Sequence, residues 1–443
     1  MTTTFDPSPA ARSEDDATSF GALVLGATLL FFFITTTPFA DLTALTSVDA
    51  ATERSNLVNQ LVFLGLTAAT WIVGFSSPTR SEIARPRLLL GLMLFWFVAV
   101  SLISPYPTRA LKQVVLAALT IGNAGMFLLL PRTDRQFARL LAFAALATLA
   151  LAYWGVAFMP RYAIHQADEI REPMNVGLWR GHFVHKNVAA AVMALLAFVG
   201  LFVRRMGLRV QGGLIVVGAL VFLAHTGGKS ATASLPAVLV IAWMFERWPI
   251  TRIPIAVGGV AMFNFVALGA AGSPAIRELV EGLGVDPTFT NRSDVWSVGV
   301  AALADRPLTG YGFQMFWQTD AMLARAGRGE DWAYAAFNGH NGYLDAMLTT
   351  GAPGLLLTLI WVLFLPLRDV SRAEGNGNNP ALTTFFVRVW LYGLFQACIE
   401  SVFFQSGSPL WFFMMVAIFG LRLQANAAVV GDAAATAKRY VPT

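Results

Sequence analysis

Charge is what this sequence has least of. Asp, Glu, Lys and Arg make up 13% of its 443 residues, against about 25% in an ordinary soluble domain. Apolar residues reach 56%, the mean hydropathy is +0.60, and apolar runs of membrane length recur along the chain. Together these exclude a soluble globule and imply a polytopic helical membrane protein, so length counts spans rather than soluble domains. Cysteine is nearly absent. Cys398 stands alone inside an apolar run, which excludes an intramolecular disulfide and a multi-cysteine metal site. A signal-peptide pattern is also missing. Residues 1–19 are polar and acidic, with Asp6, Glu14, Asp15 and Asp16, and no clear small-residue cleavage site follows. They read as a disordered cytoplasmic tail before an uncleaved first span, and residues 423–443 as a second such tail. The net charge of +5 calls for no nucleic-acid partner, because most basic residues sit in short loops, where they fix topology.

Twelve apolar stretches are candidate spans: 20–39, 57–75, 88–104, 111–130, 137–159, 188–203, 210–224, 233–246, 253–271, 342–365, 383–401 and 408–421. Those at 188–203, 210–224 and 408–421 are short for a full crossing. The expected fold is all-α, a bundle of about 12 spans with one large, mostly helical periplasmic loop. Alternate connections hold 17 of the 31 basic residues, from Arg12 through Arg80, Arg132, Arg204 and Arg247 to Arg439. The short connections on the other side hold only Arg54, Arg109, Lys112 and Lys229. The positive-inside rule puts the first set, and both termini, in the cytoplasm. Two longer loops, Pro160–Asn187 and Ala271–Asn341, then face outward, and all five histidines lie on that side. No internal repeat is evident, and Pro236 has no counterpart in the other half, as inverted transporter repeats would require.

The longer loop holds a predicted helix over Ser293–Ala304, capped by Asn291 or Ser293 and stopped by Pro307. Gly310-Tyr311-Gly312 reads as a turn. The aromatic patch of Phe313, Met315, Phe316 and Trp317 suits the lipid headgroups, and Asn338-Gly339 is a turn that presents His340.

Three constellations can carry chemistry. The first is Trp179-Arg180-Gly181-His182-Phe183-Val184-His185-Lys186-Asn187, four cationic or titratable side chains in seven residues. It suits a diphosphate, since Arg binds phosphate oxygens bidentately and Lys supplies a point charge. Snorkelling at a membrane boundary explains the same residues. His182 and His185 stand one helical turn apart, but no third metal ligand accompanies them, so no metal site is assigned. The second pairs Arg292 with Asp294, which a helix-cap role also explains. The third is His340-Asn341 with Tyr343 and Asp345, where packing competes with catalysis. Gly227-Gly228-Lys229-Ser230 resembles the end of a phosphate loop, but Leu223 stands where the motif needs glycine. Nucleotide binding is rejected, and Lys229 is left to add charge to the outer cavity.

In this order, Arg180 to Asn187, Asn291-Arg292-Ser293-Asp294-Val295-Trp296, Arg306-Pro307-Leu308-Thr309-Gly310-Tyr311-Gly312 and His340-Asn341-Gly342-Tyr343-Leu344 resemble the O-antigen ligase and polymerase superfamily. The first and third are most similar to its exopolysaccharide polymerase branch. The likeness covers residues 175–360, and the first 150 residues match only as generic spans.

The resemblance implies a transferase domain over residues 20–422. It would be an inner-membrane glycosyltransferase that takes an undecaprenyl-diphosphate-linked oligosaccharide and needs neither metal nor cofactor. The acceptor is a second lipid-linked glycan in a polymerase, which is favoured here, or lipid A-core in a ligase. A polysaccharide chain-length regulator or a flippase would be its protein partners. The family's outer-loop arginines and histidine map onto Arg180, Arg292 and His340 as catalytic groups. Lys186, His185, His182, Lys229 and Asn341 complete the substrate contacts, and Asn341 or Asp345 would orient the His340 ring. The non-enzyme rival is a carrier of lipid-linked sugar, which should place ionisable groups at mid-membrane. Arg388 and Glu400 lie near span edges and Asp345 one turn inside, which favours interfacial chemistry.

Overall fold

The computed structural model describes residues 20–34, 38–42, 57–77, 81, 84–169, 173–284, 286–289, 292–326, 333–375 and 379–426. Residues 1–19, expected as a tail, and Asn291, expected as a cap, lie outside them. The architecture is all-helical. In chain order the main helices are α1 (Phe20–Ile34), α2 (Leu57–Ser76), α3 (Arg87–Leu102), α4 (Pro107–Phe127), α5 (Asp134–Phe158), α6 (Lys186–Arg205), α7 (Arg209–Thr226), α8 (Lys229–Arg247), α9 (Val260–Gly272), α10 (Pro274–Gly282), α11 (Arg292–Leu303), α12 (Gly342–Leu359), α13 (Leu365–Gly375), α14 (Pro380–Gln396) and α15 (Pro409–Asn426). Each of the twelve apolar stretches coincides with one of these helices or a run of them. Among the described residues, seven helices or helix runs are long and apolar enough to cross a membrane, and α1 and α3 are shorter apolar helices. The protein is a polytopic membrane protein.

The runs that look short in sequence are extended by polar ends. α6 starts at Lys186 on the cap of His185, whose Nδ1 accepts from the Asn187 N–H, and closes on Arg204 and Arg205, where positive charge complements the helix dipole. α15 continues to Asn426, so the first residues of the stretch expected as a C-terminal tail are helical, and residues 427–443 lie outside the described residues. α6, α14 and α15 are buried almost all round and form the centre of the bundle. Helices such as α2 and α9 leave Val58, Leu61, Met262 and Phe265 exposed, a surface that lipid covers. α6 and α7 make a tight hairpin, in which a Cβ on Gly212 would stand 2.6 Å from the Gly200 carbonyl oxygen. Small residues allow that approach.

α12 is broken. Gly351 adopts φ 67°, ψ −176° in its middle. The Leu348 carbonyl, released there, accepts from Tyr311 N–H at 2.9 Å. The Ala352 N–H donates to Pro307 O at 2.9 Å, and Trp96 Nε1 donates to Thr350 O at 2.8 Å. The Pro307–Tyr311 turn therefore plugs the break, and irregular backbone at membrane depth is satisfied by protein. Gly351 faces Leu308 O, which a Cβ would meet at 2.1 Å. The segment expected at the headgroups is packed inward instead. Phe313, Met315 and Phe316 are buried, and Phe313 stacks on Phe97 with centroids 4.6 Å apart. Apolar rings next to a plugged helix break gain more from this core than from the interface.

Basic residues gather at one end of the bundle. Arg252 pairs with Glu374 at 2.7 Å and Arg422 with Asp369 at 2.9 Å. The two long connections lie at the other end, called here the loop face.

Candidate active site

Three segments meet at the loop face: the start of α11, the turn before α12 and the connection after α14. Arg292 is the first residue of α11, so Ser293 lies inside the helix and does not cap it. Trp296, fully buried one turn on, donates its indole N–H to Gly339 O at 2.8 Å. The Gly339 N–H donates to Asp345 Oδ1 at 3.0 Å. Asn338 Oδ1 accepts from His340 N at 3.1 Å and lies 3.1 Å from Ser401 Oγ. Asp345 also takes the Trp317 indole N–H at 2.7 Å and the Ser401 hydroxyl. This network holds His340 at φ 44°, a left-handed conformation that costs a non-glycine residue about 1–2 kcal/mol and that clusters at functional sites.

Glu400 joins the segments. Its Oε1 accepts from Arg292 Nη2 at 2.6 Å, and its Oε2 lies 3.0 Å from His340 Nδ1. The three side chains are 17%, 21% and 24% exposed for Arg292, Glu400 and His340, open enough for a substrate and shielded from bulk screening. Burial pushes the Glu400 carboxyl up. The hydrogen bond from His340 and the charges of Arg292, His340 and His185 outweigh it and hold the group below its ordinary value. Glu400 is thus a carboxylate, and it fixes the His340 proton on Nδ1. Among the described residues nothing hydrogen-bonds Nε2, so the lone pair of that nitrogen is the free one.

Asn341 was expected to touch substrate. It is fully buried and saturated: Oδ1 accepts from Tyr343 N and Leu344 N as the α12 cap, and Nδ2 donates to Asn264 Oδ1 at 2.8 Å and Cys398 O at 2.9 Å. Neither it nor Asp345 orients the ring of His340, because both hold the turn beneath it. Asn264 lies eight residues before Gly272, the loop-face end of α9, so the site is sunk about 12 Å below that end.

The first loop divides. His185, the α6 cap, is near enough to Glu400 to lower its carboxyl. Lys186 begins α6, and its N–H donates to His165 Nε2 at 3.2 Å, while His165 Nδ1 faces Glu169 Oε2 at 2.5 Å. Lys229 is exposed at the start of α8. Arg180 and His182 are turned away. The Arg180 guanidinium, 1% exposed, donates to Phe183 O at 3.1 Å and Ala40 O at 2.8 Å. The structure does not bring it to Arg292 and His340. His182 is buried with Nε2 3.2 Å from Phe33 O, and burial drags its pKa to about 4.

That value sets a pH dependence. An unfolded imidazole titrates near 6.5, so between about pH 6.5 and 4 the unfolded chain binds the extra proton. Acidification across that window is expected to remove about 3 kcal/mol of stability and little more below it. Thermal unfolding in detergent at stepped pH checks this. His182→Gln should flatten the acid slope, and equal slopes would refute the assignment.

Sequence reasoning missed Glu400, read there as a charge at a span edge. It is the sole charged residue between Ala397 and Ser408, on the side that carries every histidine, and that was the available signal.

A membrane bundle with a histidine–carboxylate–arginine site at one face is the class of protein that this fold and site define. Residues 186–359, which carry His340 and Arg292, match the family described as O-antigen ligase. The chain is also similar to the exopolysaccharide production protein ExoQ of Rhizobium meliloti (strain 1021), with 29% identity over 225 residues. That match covers 46% of this chain and 50% of ExoQ, so it spans about half the length of either protein.

Proposed function

We propose that this protein is a glycosyltransferase that moves an undecaprenyl-diphosphate-linked glycan onto an acceptor hydroxyl at the outer face of the inner membrane, most directly to polymerise exopolysaccharide or O-antigen repeat units. The observation that carries the reading is the sharing of one carboxylate by Arg292 and His340. It puts a phosphate-binding cation and a free imidazole lone pair side by side at a shielded surface. In the proposed reaction, His340 Nε2 takes the acceptor hydroxyl proton as that oxygen attacks the anomeric carbon. The bond from that carbon to the diphosphate oxygen breaks, the charge gathers on the leaving diphosphate, and Arg292 receives it, with Lys186, His185 and Lys229 around the mouth. Glu400 stabilises the imidazolium. In-line attack inverts the anomeric centre, and the arginine supplies the charge that a divalent ion would otherwise bring. Arg180, His182 and Asn341 take positioning roles. Twelve crossings, both termini cytoplasmic and the loop face periplasmic complete the reading, supported by the basic residues at the opposite end.

Ligation to lipid A-core is the second reading, favoured by the description of the matched family. The test offers purified protein a synthetic undecaprenyl-diphosphate oligosaccharide with either a second lipid-linked unit or lipid A-core. A ladder of longer lipid-linked glycans supports polymerisation, and product on lipid A-core alone supports ligation. Movement of the donor across liposomes with nothing joined overturns both in favour of a carrier.

A further inference from the structure

The basic end of the bundle, opposite the loop face, holds a charge with nothing to bind. Arg388 stands eight residues past Pro380, the first residue of α14, and so about 12 Å inside the helix rather than at a span edge as expected. α14 packs against α6, α8 and α15, and Phe386, Val387, Val389 and Trp390 around Arg388 are buried. Among the described residues Arg388 makes neither a hydrogen bond nor an ion pair, and its Nε is closed to water. The side chain as a whole is half-buried. Snorkelling would carry the charged head out into water, whereas this one leaves a charged donor dry. A buried donor without a partner costs about 1–3 kcal/mol, and more when it is charged.

Two other charges act on Arg388: Glu246 attracts it and Arg205 repels it. Glu246, in the last turn of α8, is held by Thr384, whose hydroxyl donates to Oε1 at 2.6 Å. Arg205 is the last residue of α6. Two guanidiniums against one carboxylate leave one positive charge unmatched. Phe202 of α6 stacks on Phe385 of α14 with centroids 4.8 Å apart, which ties the two helices together one turn from Arg388. Trp243 and Trp248, both exposed, meet at 5.0 Å on either side of Glu246. Such amphipathic rings gather at lipid headgroups, so this end of α8 lies at headgroup depth. One turn further in, Val240 is exposed.

We propose that the crevice where α6, α8 and α14 meet binds the phosphodiester of an anionic phospholipid, phosphatidylglycerol, from the leaflet at the basic end. Arg388 donates to the phosphate oxygens, Arg205 adds the second charge, and an acyl chain runs over Val240 into the bilayer. One unmatched positive charge suits one phosphodiester. A zwitterionic headgroup brings its own cation and gains less. Basic pockets between membrane helices are a recurrent means of holding such headgroups.

The test titrates delipidated full-length protein in detergent with phosphatidylglycerol, phosphatidylcholine or inorganic phosphate. Phosphatidylglycerol is expected to raise Tm by about 2 °C or more and to stay on the chain as a single adduct in native mass spectra. Phosphatidylcholine and inorganic phosphate are expected to do neither. Arg388→Gln should weaken phosphatidylglycerol binding about tenfold or more, while Glu246→Gln, which removes the competing carboxylate, should not weaken it. Equal effects of the two lipids, protection by inorganic phosphate as large as by phosphatidylglycerol, or wild-type affinity in Arg388→Gln overturns the site. Should Arg388→Gln fail to fold, Arg205→Gln at its exposed position takes its place. Its expected loss is about fivefold, and unchanged affinity there overturns the site equally.

Discussion

Glu400→Gln is expected to lower turnover by about 10²–10⁴-fold while leaving the donor KM close to wild type. The reason lies in hydrogen-bond polarity. Arg292 can only donate, so the glutamine amide must turn its oxygen to Arg292 and its NH2 to His340 Nδ1. Nδ1 then has to accept, the ring proton moves to Nε2, and the lone pair that should take the acceptor proton is gone. The cation at Arg292 is untouched, so donor binding persists. Initial rates at varied donor concentration separate the two parameters. A variant within threefold of wild type in turnover would show that the carboxylate does not set the ring's tautomer.

Arg292→Ala removes the charge proposed to receive the leaving diphosphate. One preorganised group of this kind is worth about 10²–10³ in rate. Its loss should appear in kcat/KM, together with weaker inhibition by free undecaprenyl diphosphate, because substrate and product share the group. Arg292→Lys should recover part of the loss, since lysine offers a point charge without the guanidinium fork. The pair between Glu400 and His340 survives this change, but without the Arg292 charge the Glu400 carboxyl rises, so the acidic limb of the pH dependence should move to higher pH as the amplitude falls. An Arg292→Ala protein with unchanged product inhibition would place the diphosphate elsewhere.

Much of the fold is legible in the residues. Apolar runs bounded by basic clusters give the helices, because the bilayer leaves the backbone few other solutions. The helix over Ser293–Ala304 is displaced by only one residue, to Arg292–Leu303. Arg292 and His340 stand out as polar residues at loop ends and do converge. Glu400 does not stand out, because one acidic residue at a span edge carries no local pattern. Its role arises only when three segments from distant parts of the chain close on it. Arg180 and Asn341 err the other way. Their residue types suit a ligand, but the terminal nitrogens of Arg180 donate to the carbonyls of Phe183 and Ala40, and Asn341 serves as the α12 cap. Motif position cannot distinguish a side chain that holds a substrate from one that holds the loop beside it. The break at Gly351 is likewise hidden, since it depends on the distant Pro307–Tyr311 turn filling it.

The central claim is that His340 is the base of a glycan transfer that proceeds without a metal ion. The most direct measurement gives purified wild-type protein and His340→Ala the same undecaprenyl-diphosphate oligosaccharide and acceptor, in the presence of EDTA, and resolves the products by size. The account predicts elongated or transferred glycan from wild type, undiminished by EDTA, and none above background from the variant. Product from His340→Ala at a rate close to wild type would contradict it.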